Sequence, residues 1–439
     1  MIVEPKPAIR LPMRRALPAA TLAFALALLV PVGTLLAAPP HTARAAEQAE
    51  AAFRAELARS LDNGLPGITV ALATRQGVIW TGSAGYANLE TRAPAHAGYL
   101  YGIGSITKVF VASVVQQLAD EGRLDLDATP RAILGDALTG DIPNAGTATL
   151  RQLLNHTSGV PTWEFDPDWI RRGRGENLLT GRAWRKDETL EYLRHGRHPA
   201  TNAPGAAYAY SNSNYTLLGL VIEKVTGHDA VQELHARVLD PLGLRDIRME
   251  GFETVDAARI PARYHFNTPE FRRDAGLHVS FRPVAPGLID VSASDLSTEW
   301  TAGGLLATAR DLAVFARALR DGAVVGPAGL GRMQDFIPTH DDSDPGSAVG
   351  EGLFREQLDA GTLIGEDGGV LGFGAVMGWL EHEDLVVVVM TNVGSMHSGD
   401  AAYYPLKLVK AAHFINAARR LAAALTPPAG APGLSLIHI

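Results

Sequence analysis

The sequence predicts an α+β fold: an antiparallel sheet flanked by helices, to which both ends of the chain contribute, with a mainly helical lobe inserted at about residues 131–289. Three observations carry this. β-patterned runs gather near the two ends, at 67–84 and 362–391. Helical patterns and long polar loops fill the interval between them, and a first helix and a closing helix stand at the two ends. A site is expected in the cleft between sheet and lobe.

Taken in order, residues 1–45 read as a secretory leader. Arg10, Arg14 and Arg15 precede an apolar run from about Leu17 to Ala38, and Ala43-Arg44-Ala45 is a small-residue cleavage signal. An uncleaved anchor is the competing reading, because the run approaches the length that spans a bilayer; the small-residue exit favours cleavage. The protein is therefore expected to be secreted or periplasmic, with no membrane partner after cleavage. Glu47 to Leu61 follows as a first helix, then a hairpin of 67–73 and 78–84 around Arg75-Gln76-Gly77. Ile106, Val109, Phe110, Val114 and Leu118 set a helical period that Gly122 ends. In the lobe, Arg171-Arg-Gly-Arg174 reads as a solvated loop, and a further helix starts near Tyr215. Gly303-Gly304 leads into a helix at 309–319. Strands are expected at 362–366, 373–380 and 385–391, the glycines from Gly368 to Gly374 forming a strand connection, and a closing helix runs over 401–424. Residues 426–439 have no element to belong to and read as a disordered or artefactual tail, leaving 46–425 as the folded domain.

Composition narrows the function. The 439 residues are 46% hydrophobic and 20% charged, enough for a large core. Without the leader, 34 basic residues face 46 acidic ones, a net charge of −12 that argues against nucleic acid as a partner. The absence of cysteine excludes disulfides and thiolate metal sites. No metal and no cofactor is expected. His195 and His198 stand near Glu191, but without H-E-x-x-H they read as a polar surface. No G-x-S-x-G elbow occurs, which disfavours an α/β-hydrolase. The glycines around 368–374 lack the following helix and acidic residue of a dinucleotide loop.

Ser105-Ile-Thr-Lys108 is the candidate catalytic element. Residues i and i+3 share a helix face, so a hydroxyl and an amine there can come within hydrogen-bonding reach. Placement on a first turn adds free N–H groups and a positive dipole end for a developing oxyanion. The amine can act as a base only when neutral, which burial promotes. The bare pattern also occurs by chance on surface helices. Tyr210-Ser211-Asn212 supplies a phenol and an amide, as base and substrate clamp. Tyr86-Ala-Asn88 repeats that spacing at a hairpin exit, where Asn is turn chemistry.

Together, Gly104-Ser-Ile-Thr-Lys108, Leu153-Leu-Asn-His-Thr-Ser-Gly159, Tyr210-Ser-Asn212 and Ala302-Gly-Gly-Leu-Leu-Ala-Thr-Ala-Arg-Asp311 resemble the serine β-lactamase and penicillin-binding-protein superfamily. The resemblance is strongest to its class C and D-alanyl-D-alanine carboxypeptidase branch and covers about residues 48–420. It implies a β-lactamase/transpeptidase-like fold and a hydrolase working through an acyl-enzyme. Ser105 would be the nucleophile, Lys108 its activating partner, Tyr210 the acid/base and Asn212 a ligand for the substrate amide. Gly368 and Gly369 would line the substrate site, with the Gly369 N–H, on an edge strand, joining that of Ser105 in an oxyanion hole. His156 reads as structural. The implied substrate is a small molecule or a peptidoglycan stem peptide.

One position departs from the family. Relatives carry Lys or His where Ile364-Gly-Glu-Asp-Gly-Gly369 places Glu366. Reversing a cation that holds a substrate carboxylate costs on the order of 4 kcal/mol at about 4 Å with an effective ε near 20, roughly a thousandfold of preference. Three resolutions stay open: Glu366 is protonated, an arginine such as Arg310 compensates, or the substrate is a neutral ester or amide. A carboxypeptidase or β-lactamase, an esterase for small neutral esters, and a non-catalytic binding protein on the same scaffold are the competing functions.

Overall fold

Continuous burial along the terminal strands requires a sheet covered on both faces, and the computed structural model, which describes residues 40–340, 345–399 and 402–426, has one. Helix α1 (Pro40–Ser60) precedes strands β1 (Gly67–Thr74) and β2 (Gly77–Asn88). Helix α2 (Thr107–Asp120) follows, its first three turns buried nearly all round. Gly122, at φ +68°, stops it where N–H groups of Gly122 and Arg123 turn back to the carbonyls of Ala119 and Leu118.

The intervening segment holds α3 (Pro167–Arg174) and α4 (Asn212–Thr226). It also carries short strands at Tyr264–Phe266, Arg282–Ala285 and Leu288–Asp290, which form a small sheet with Val393–Gly394. Then come α5 (Ala309–Arg320), β3 (Phe354–Leu358), β4 (Gly361–Val370), β5 (Phe373–Leu380), β6 (Val386–Thr391), α6 (Pro405–Lys410) and α7 (Ala412–Leu425).

The main sheet runs Ile337–Pro338, Ala348–Val349, β3, β4, β5, β6, β1, β2, Ala93–Pro94, so N-terminal strands pair directly with C-terminal ones. The β1–β6 register sets Ile68 against Thr391 and Ala73 against Val386. Period-two geometry then sorts the side chains. Ala71, Val386, Val388 and Met390 face a core shared with α2, α4 and α5, while Val70, Val387 and Val389 face α1 and α7 through Phe53, Leu57, Phe414 and Leu421. The continuous Val386–Val389 run is explained by burial on both faces.

Several expected boundaries shift. α1 starts at Pro40 rather than Glu47. α4 starts at Asn212 rather than near Tyr215, because its polar first turn is buried and paired: Ser213 Oγ accepts the Trp163 N–H and Asn214 Oδ1 accepts the Ser158 hydroxyl. The closing helix is two helices. Ala411 is extended between them, and the Lys410 carbonyl accepts the Asp359 N–H instead of continuing the turn. Arg171–Arg174 is helical, not a loop, with Asp166 accepting the N–H groups of Asp168 and Trp169 and Pro167 at the first position. β4 continues through Gly368 and Gly369, paired with Ala375 and Gly374, where a strand connection was expected. Expectations for residues 1–39 and for the tail after 426 lie outside the described residues.

Candidate active site

Ser105 occupies a single 3₁₀ turn, Gly104–Ile106, that runs into α2. Gly104 is at φ +54°, and a Cβ there would lie 2.7 Å from the Gly369 nitrogen. A Cβ on Gly368 would lie 2.0 Å from the Ile103 carbonyl oxygen and 2.8 Å from the Ser105 nitrogen. The glycines are thus demanded by the approach of β4 to the backbone of the candidate nucleophile. β3 pairs with β4 only as far as Gly365, so beyond that point the edge of β4 is not covered by β3.

Lys108 is 1% exposed, and its Nζ lies 2.9 Å from Ser105 Oγ, 2.7 Å from Asn212 Oδ1 and 2.7 Å from the Ala302 carbonyl oxygen. The Tyr210 hydroxyl donates to the same Ser105 Oγ at 2.5 Å. Burial pulls the Lys108 amine down to about 8 against the opposing fields of Glu366, Glu164, Glu299 and Asp367. Burial, then Glu366, pushes the Tyr210 phenol well above its ordinary value, so it stays protonated and donates. A neutral amine has two N–H bonds. Asn212 Oδ1 and the Ala302 carbonyl accept them, which turns the lone pair toward the serine hydroxyl.

His156 supports this arrangement from behind. Its ring stacks on Tyr210 with centroids 4.3 Å apart, and its Nδ1 accepts the Ser211 N–H at 3.1 Å. Burial holds the imidazole well below 6.5, hence neutral.

Beneath Lys108 lies a charged layer that sequence reasoning missed. The Asn212 amide donates one N–H to Glu164 Oε2 at 2.5 Å while its Oδ1 meets Lys108, and the residue lines the cleft. Arg174, 1% exposed, reaches Glu299 at 2.8 Å and Glu164 at 4.0 Å. Burial lifts the Glu164 carboxyl to about 7 while Arg174 opposes the rise, and burial likewise raises Glu299. Arg174 belongs to the arginine cluster read as solvated; its neighbours Arg171 and Arg172 are half-exposed. Helical spacing separates them, because the face carrying Trp169, Ile170 and Arg174 turns inward. A lone acid, Glu299, directly before the apolar Trp300-Thr-Ala-Gly-Gly304 stretch was the available signal.

The cleft above Ser105 is lined by Tyr208, Tyr210, Phe354 and Gly369, and by the carboxyl-bearing Glu164, Glu299, Glu356, Glu366 and Asp367. Gly368 packs against the turn behind Ser105. Glu366 is 7% exposed, and burial, then Asp367, pushes its carboxyl well above the usual range, with Lys108 opposing. That favours the protonated resolution of its unusual identity. Arg310 is exposed on α5 and does not line the cleft. His195 is exposed, and His198 bonds Asp166 at 2.8 Å. Among the described residues no group of three or more His, Cys, Asp or Glu is arranged to hold a metal, and no helix is long and apolar enough to cross a membrane. Asn88 Oδ1 accepts the Thr91 N–H, as turn chemistry requires.

A family model described as Beta-lactamase matches residues 44–411. Among curated relatives, Esterase EstB of Burkholderia gladioli is 31% identical over 209 residues, 46% of this chain and 51% of that protein. The chain's match spans about half the length, or less, of the first curated relatives. Among solved structures, the D-stereospecific amidohydrolase from Streptomyces sp. superposes with a TM-score of 0.68 at 28% identity, covering 82% of this chain and 97% of that one. D-amino acid amidase from Ochrobactrum anthropi SV3 gives 0.72 at 24% identity, covering 86% and 99%, a likeness of fold.

Proposed function

Since this chain belongs to the β-lactamase family of serine hydrolases, we propose that it hydrolyses esters or amides through an acyl-enzyme on Ser105, and that its substrates do not present a carboxylate to Glu366. The observation that carries the reading is the position of Ser105 Oγ between Lys108 Nζ at 2.9 Å and the Tyr210 hydroxyl at 2.5 Å.

In this reading the Ser105 proton passes to neutral Lys108 as Oγ attacks the carbonyl carbon. The N–H groups of Ser105 and Gly369 receive the oxyanion. Tyr210 protonates the departing nitrogen or oxygen and recovers a proton from the Lys108 ammonium. Water then attacks the ester carbonyl, releasing the acid and restoring the Ser105 hydroxyl. Asn212 holds Lys108 through its Oδ1 and gives one amide N–H to Glu164, and as a residue of the cleft lining it keeps a second N–H for the substrate amide.

A D-alanyl-D-alanine carboxypeptidase or β-lactamase would bring a carboxylate into a cleft lined by five acidic side chains. The esterase and amidase readings suit that cleft better. The binding-protein reading is disfavoured by the intact serine, lysine and tyrosine geometry. Export is proposed from the leader-like N-terminus.

The test is intact-protein mass spectrometry after exposure to p-nitrophenyl acetate and to a fluorescent penicillin. Transient acetylation that maps to Ser105 and is lost in Ser105→Ala is expected. A wild-type protein that no acyl donor labels, or a Ser105→Ala variant that still turns over the ester, refutes the proposal.

A further inference from the structure

We propose that the cleft accepts substrates carrying an ammonium group and that Glu366 is the carboxyl that holds it, an inference that rests on the acyl-enzyme reading of Ser105.

The charge around the cleft points this way. Five carboxyl side chains line it, and among the described residues no lysine, arginine or histidine does. Two of the five, Glu164 and Glu299, are balanced from below by Arg174. Glu356 stands 3.7 Å from Lys410. Glu366 is different. It is more than nine-tenths buried, borders the cleft, and makes no hydrogen bond to any described residue. A buried polar group without a partner is costly, more so when ionised, and is seldom left so unless a ligand completes it. An ammonium supplies up to three donors and a positive charge that stabilises the ionised carboxylate, offsetting the burial that otherwise favours its protonated form.

The walls suit the same guest. Phe354 meets Tyr208 edge-on with ring centroids 6.2 Å apart and lies 6.5 Å from the Tyr210 ring, so aromatic faces and edges surround the space beside the acids. Cations are attracted to such faces, most strongly where water is excluded. Glu366 is also two residues from Gly368, which packs on the Ser105 backbone, so the guest charge and the reacting carbonyl belong to one small substrate.

The experiment compares donors differing only in charge. On the acyl side these are alanine p-nitroanilide, N-acetylalanine p-nitroanilide and N-succinylalanine p-nitroanilide, each in both enantiomers. On the leaving-group side they are acetylcholine and its neutral isostere 3,3-dimethylbutyl acetate. The expected result is at least tenfold higher kcat/KM for the ammonium member of one set, with the succinyl donor poorest. That preference should shrink at least tenfold in Glu366→Gln, mainly through KM. Equal or inverted preference in both sets, or an unchanged ratio in Glu366→Gln, overturns the inference. Labelling of wild-type Ser105 by p-nitrophenyl acetate tells the failures apart: labelling without charge preference removes this inference alone, and no labelling removes both.

Discussion

If Lys108 is the base, the rate on an uncharged ester must follow the neutral fraction of its amine. Burial places that amine at about 8 rather than its ordinary 10.5, a shift worth roughly 3 kcal/mol against the ammonium form. From the titration curve, about one-eleventh of the enzyme is then competent at pH 7 and about ten-elevenths at pH 9, so kcat/KM should rise about tenfold between them. Tyr210 does not supply the limb, because its phenol is held above its ordinary range and gains no charge there. The assay is hydrolysis of p-nitrophenyl acetate from pH 6 to 10, corrected for spontaneous cleavage. Lys108→Arg provides the second arm. A guanidinium keeps its proton throughout, so the limb should vanish and the rate at pH 9 should fall by about two to four orders of magnitude. A flat wild-type profile, or an arginine variant with wild-type rate, would refute the assignment.

Three further outcomes follow from the geometry. Arg174→Leu leaves Glu164 and Glu299 buried without their cation and should cost about 3–5 kcal/mol of stability, read by chemical denaturation; an unchanged midpoint would mean that the pair contributes nothing. Gly368→Ala drives a methyl group into the Ile103 carbonyl and the Ser105 turn, and a displacement costing about 1–3 kcal/mol should slow acylation roughly tenfold or more while the far-UV spectrum stays native; wild-type acylation would show that β4 need not lie so close. Glu366→Lys should raise turnover of carboxylate-bearing D-Ala-D-Ala peptides relative to p-nitrophenyl acetate by about tenfold or more. An unchanged ratio would show that residue 366 does not meet the substrate charge.

Much of the site was legible in the chain because its groups are local. Ser105 and Lys108 are three residues apart, and Tyr210 and Asn212 two apart, so their relation within each pair is fixed by backbone geometry and their residue types announce the chemistry. For Gly368 and Gly369 the two signals differ: a run of glycines reads as a connection, while the family resemblance puts Gly369 on an edge strand, and both sit inside β4 because a second backbone presses on them. Arg174, Glu164 and Glu299 were missed for a related reason. Charged residues are solvated by default, and only the burial of one face of helix α3, where Arg174 stacks on Trp169 and meets Glu299, puts an arginine where it must be paired.

The amino-acid order by itself determined the α+β plan, the candidate nucleophile with its amine and phenol, and the acid at position 366. What only the tertiary structure decided is the state of those groups. Whether Lys108 is neutral enough to accept a proton, whether Tyr210 donates, whether Asn212 is free for substrate and whether Glu366 is charged all depend on burial and on partners brought in from distant segments. Periodicity records which face of an element is apolar. Desolvation and Coulomb interaction depend on distance in space, and that distance exists only once the chain has closed on itself.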